Sequence, residues 1–110
     1  MYMHSTGDRT VPYIESKAHN VPDMIKFWVK MNSCDTIPII TTLPDKNIQD
    51  GCTVTLFDYK GVGIGSAVRF YRVNGGNHAI PGLEDGNQDF NAFEAAWDFC
   101  KQFSNPNYQN

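Results

Sequence analysis

Two β-rich runs flank a glycine-rich stretch, and that arrangement limits the fold more than any other feature of the chain. Cys52 to Tyr59 alternates, with Cys52, Val54 and Leu56 on one side and Thr53 and Thr55 on the other, the pattern of a strand with one buried face. Ala67 to Val73 is dense in β-branched and aromatic residues, and Lys60 to Ser66 between the runs carries Gly61, Gly63 and Gly65. Two strands joined by so short a loop pair as an antiparallel hairpin.

Helical patterns lie on either side. The spacing predicts a helix over 21–32, capped by Asn20, with Pro22 and Asp23 in its first turn. Met24, Ile25, Phe27, Trp28 and Met31 would form its buried stripe. A second helix, 90–103, would turn Phe90, Phe93, Trp97 and Cys100 inward and stop at Asn105-Pro106. Between the first helix and the hairpin, Pro38, Pro44 and Asp45-Lys46-Asn47 break the chain into an extended segment and a surface loop. Met1 to Ser5 reads as a short strand running into the turn Thr6-Gly7-Asp8-Arg9. Strand, helix, hairpin, helix is the order of an α/β fold, here a mixed sheet of about three strands with two main helices. With no repeat or linker, residues 1–110 are expected to form a single partial domain, the back half of a longer one.

Composition removes several functions. At 41% hydrophobic residues the chain can build a core. Nine basic against twelve acidic residues, net −3, do not suit nucleic acid. No apolar run approaches the roughly 20 residues that cross a bilayer, so no membrane partner is expected. The three glycines join two strands, whereas a dinucleotide loop joins a strand to a helix. His4, His19 and His78 lack H-x-x-x-H spacing, and Cys34, Cys52 and Cys100 lack C-x-x-C, so neither metal nor cofactor is expected. Cys34 and Cys52 flank the loop and leave a disulfide open; Cys100 would serve as a small apolar residue.

Asp8 and His78 stand out. Each lies in a loop just beyond a strand end, where sites in α/β sheets gather. If the two strands run side by side and parallel, both side chains reach one edge. A carboxylate on one imidazole nitrogen fixes the tautomer and frees the other nitrogen as a general base, which is two-thirds of a nucleophilic triad.

Three stretches carry a resemblance. His4-Ser5-Thr6-Gly7-Asp8-Arg9-Thr10-Val11-Pro12-Tyr13 is similar to an HGTxDxxVPY motif, Trp28 with Asn32-Ser33-Cys34 to W…NGC, and Gly75-Gly76-Asn77-His78-Ala79-Ile80-Pro81-Gly82 to GGGHxWPG. In that order they resemble the C-terminal part of an α/β-hydrolase, within the polyhydroxybutyrate depolymerase and feruloyl esterase-like group of secreted carboxylesterases. Ser5, Asn77 and Ile80 depart from that pattern, which has glycine, glycine and tryptophan there. The resemblance implies that Asp8 is the acid and His78 the base of a Ser-Asp-His triad acting on an ester, in an extracellular or periplasmic protein. No G-x-S-x-G nucleophile motif occurs in the chain, so the serine is expected upstream and the isolated chain is expected to be inactive. Its sheet edge, left open, is expected to make a homo-oligomer. The alternative is a non-catalytic carbohydrate-binding or dimerisation module. Against it, Phe27, Trp28, Phe93 and Trp97 fall at core spacing, and Tyr13, Tyr59, Tyr71 and Tyr108 define no platform.

Overall fold

A computed structural model describes residues 1–63 and 65–104; the Asn105-Pro106 stop, Tyr108 and Ile64 of the glycine loop lie outside the described residues. The elements in chain order are β1 (Tyr2–Ser5), α1 (Val21–Met31), β2 (Ile39–Thr42), β3 (Thr53–Lys60), β4 (Ala67–Asn74) and α2 (Ala92–Cys100). The hairpin forms as its pattern requires, with β3 and β4 antiparallel from Thr53 opposite Asn74 to Lys60 opposite Ala67. β1 lies parallel to β4 and β2 antiparallel to β3, giving a mixed four-stranded sheet in the order β1-β4-β3-β2.

Among the described residues the expected three strands are four. The extra one, β2, comes from the segment read only as extended, and all four of its residues are exposed. With neither face buried it has no need of the alternation that identifies a strand in sequence.

Residues one apart on β4 face opposite ways, and each side of the sheet carries its own core. On one face Val68 and Phe70 pack with Val21, Ile25 and Val29 of α1. On the other, Tyr71 and Val73 join Val54, with Phe90 and Ala95 against them. The molecule is therefore helix, sheet, helix. No described helix is long and apolar enough to cross a membrane.

Both helices form close to their expected places but turn differently. Asn20 caps α1 by accepting from the Asp23 N–H, and Pro22 sits in the first turn. The stripe against the sheet is Val21, Ile25 and Val29, four apart, while Phe27, Trp28 and Met31 are exposed. Apolar side chains span about 200° of this helix at 100° per residue, more than one sheet face can cover. α2 begins later, at Ala92, under an Asn91 cap that accepts from Phe93 and Glu94 N–H groups. Its inner side is Ala92 and Phe99, whereas Phe93, Trp97 and Cys100 face outward. Phe90 does pack inward, stacked on Tyr71 with centroids 4.7 Å apart.

A Cys34–Cys52 disulfide does not form. Cys52 precedes β3, and Cys34 pairs with Gly61 beyond its far end, so the eight residues of an extended strand separate the two thiols. All three cysteines are free.

Candidate active site

The site grows out of the parallel pairing of β1 with β4. Two adjacent parallel strands end together, so the loops that leave them start side by side. Thr6 N–H to Val73 O (2.9 Å) ties the β1 turn to the end of β4, and Gly7 N–H to Gly75 O (3.0 Å) and Gly75 N–H to Thr6 Oγ1 (2.8 Å) lock the two loops to each other. The approach is so close that a Cβ on Gly7 would run into the Gly76 carbonyl. Gly75 and Gly76 have φ of 84° and 73°, left-handed backbone that favours glycine, and this reversal brings His78 back over the β1 turn.

Asp8 and His78 meet there. His78 Nδ1 lies 2.7 Å from Asp8 Oδ2. The other carboxylate oxygen, Oδ1, accepts the Thr10 and Val11 N–H groups at 2.9 and 2.8 Å. Asp8 is buried, and burial alone would raise its pKa. The bonds from Val11, His78 and Thr10 together outweigh that and hold the carboxyl below its ordinary value. An ionised carboxylate can only accept, so Nδ1 of His78 carries a proton, and in the neutral imidazole Nε2 is left with the lone pair. The His78 side chain is 56% exposed, and Nε2 makes no hydrogen bond among the described residues.

His78 and Asp8 border a cavity of about 610 Å³ whose walls include Met3, Val11, Ile80 and Leu83. The loop carrying His78 is anchored beyond it, where Pro81 O accepts the Ala92 N–H at the start of α2. Across the β4 end, a smaller cavity of about 280 Å³ includes Ser5, Cys52 and Asn87. Burial, and then the charge of Asp50, push the Cys52 thiol pKa up, the opposite of what an activated cysteine nucleophile needs. No three His, Cys, Asp or Glu side chains among the described residues gather to hold a metal ion.

Two residues at this site had no assigned role in sequence. His4 lies beneath Asp8, its Nε2 2.8 Å from Val11 O and 3.7 Å from Asp8 Oδ2, and the Tyr2 hydroxyl sits 3.1 Å from its Nδ1. The alternation of β1 signals that Tyr2 and His4 share a face; the partner of His4 Nε2, the Val11 carbonyl, lies outside the strand and leaves no mark in its pattern. Set against known proteins, the chain matches no family model, no curated protein and no solved structure.

Proposed function

We propose that this chain supplies the acid and base of a serine ester hydrolase of α/β-hydrolase type. The observation that carries the reading is the 2.7 Å contact of His78 Nδ1 with a carboxylate already saturated on its other oxygen. His78 Nε2 takes the proton of a serine hydroxyl as its oxygen attacks the ester carbonyl. It returns that proton to the departing alcohol, leaving an acyl-serine. A water, deprotonated by the same nitrogen, then releases the acid and restores the serine. Asp8 stays ionised and stabilises the imidazolium. The chain has no G-x-S-x-G motif, so in this reading the serine is supplied from outside residues 1–110. Met3, Val11, Ile80 and Leu83 beside His78 suit an ester with an apolar portion.

The test is hydrolysis of p-nitrophenyl esters by the chain together with its adjoining nucleophile segment. Asp8→Asn should lower turnover by about 10⁴-fold, and the chain by itself should be inert. Near-normal turnover by the Asp8→Asn protein removes the assignment.

One observation favours a second reading, a non-catalytic binding module. Phe27 and Trp28 on α1 and Phe93 and Trp97 on α2 are exposed rather than packed. They lie on helices covering opposite faces of the sheet, which argues against one shared platform. Saturable binding of soluble oligosaccharides, followed by tryptophan emission and abolished in Trp28→Ala, would favour the module.

A further inference from the structure

We propose that His4 is a positioning residue of the Asp8–His78 pair, a neutral Nε2–H imidazole that pins the Val11 carbonyl and thereby fixes the turn whose amides hold Asp8. Its side chain is 7% exposed, and each ring nitrogen has its own partner. Val11 O, 2.8 Å from Nε2, can only accept, so Nε2 carries the proton. Nδ1 then accepts from the Tyr2 hydroxyl at 3.1 Å. Burial, followed by the negative charge of Asp8, pushes the Tyr2 phenol up, so the phenol keeps the proton it donates. The rings of Tyr2 and Tyr13, each with its centroid 5.9 Å from that of His4, hold the imidazole in place.

The consequence passes through one residue. With its carbonyl tied to His4, Val11 turns its N–H onto Asp8 Oδ1, beside that of Thr10. Oδ1 is thereby occupied and Oδ2 is left for His78. At 3.7 Å from Oδ2, His4 is beyond hydrogen-bond reach of that oxygen. Its one proton is spent on Val11 and does not compete with His78. The Tyr2 hydroxyl, His4, Val11 and Asp8 thus form one chain of directed hydrogen bonds ending at the base.

This inference rests on the reading that Asp8 holds His78 as a base, and its test reads imidazole tautomers rather than hydrolysis. Long-range ¹H–¹⁵N spectra of the 110-residue chain should show His4 as the Nε2–H tautomer and His78 as the Nδ1–H tautomer. His4→Phe keeps a ring between Tyr2 and Tyr13 but has no donor for Val11. In it the two His78 nitrogen signals should move toward each other as the Nε2–H form becomes populated. His4→Gln, whose amide can again donate to Val11, should restore the wild-type His78 signals, a rescue that mere filling of space does not predict. A folded His4→Phe protein with His78 signals unchanged overturns the role of His4 alone. Wild-type His4 found as the Nδ1–H tautomer overturns it too, whether or not the variants fold. Wild-type His78 without a proton on Nδ1 overturns the Asp8–His78 pair itself.

Discussion

Asp8 sits where two opposing effects meet. Desolvation penalises its charge, and three donors directed at its two oxygens restore it with some to spare. Its pKa in the folded chain lies below the ordinary carboxylate value of about 3.9, so folding favours the ionised form. The stability this contributes is complete above the unfolded value and is lost as pH falls through the folded one. Denaturant unfolding between about pH 5 and pH 2 should therefore show a shallower acid loss in Asp8→Asn than in wild type; parallel curves would contradict the assignment. Asp8 and His78 were legible in sequence because each follows a strand end and lies next to residues that bend the backbone. His4 was not, since its effect runs through the Val11 carbonyl, and backbone acceptors have no residue identity. Gly7 was half legible: its turn was expected, but its closeness to the Gly76 carbonyl depends on two loops far apart in the chain.

At the level of elements, caps and breakers were readable and facing was not. Asn20, Pro22 and the prolines around β2 act on the backbone next to them, so the sequence carries their effect directly. Which arc of α1 meets the sheet is decided by β4, which presents Val68 and Phe70. The fit selects slim β-branched side chains four apart and leaves the bulkier Phe27, Trp28 and Met31 outside. On α2 the choice falls on Ala92 with Phe99, the latter under Arg69, whose guanidinium carbon lies 5.4 Å from the ring centroid. Ile25 and Trp28, neighbours in the expected stripe, should therefore differ sharply. Ile25→Val should cost about 0.5–1.5 kcal/mol by opening a void in the core. Trp28→Gln should change stability by no more than about 0.5 kcal/mol, as exposed substitutions do. Urea unfolding of the two variants checks this, and a larger loss for Trp28→Gln would mean that the indole is covered in solution.

Among the described residues the sheet has two open edges, and they are not equivalent. β2 is four residues long and bracketed by Pro38 and Pro44, and short edge strands with nearby prolines resist pairing. β1 has no charge or proline in Tyr2-Met3-His4-Ser5, and among the described residues nothing pairs with one side of its backbone. Thr6 donates its N–H to Val73 on β4; since alternate residues of a strand point their amides the same way, Met3 and Ser5 turn theirs to the open side. β1 is also the edge that borders the cavity beside His78, so whatever pairs with it also closes one wall of the candidate site. In the isolated chain the partner expected there is a second copy. Light scattering at tens of micromolar should give a dimer or a larger assembly. Met3→Pro, which removes an outward N–H and is tolerated on a strand edge, should give a monomer with an unchanged far-ultraviolet circular dichroism spectrum. Ile40→Lys on β2 should leave the assembly intact. A wild-type chain that stays monomeric across that range would mean that β1 is blunted by its twist or its side chains, and that its free amides are satisfied by water alone.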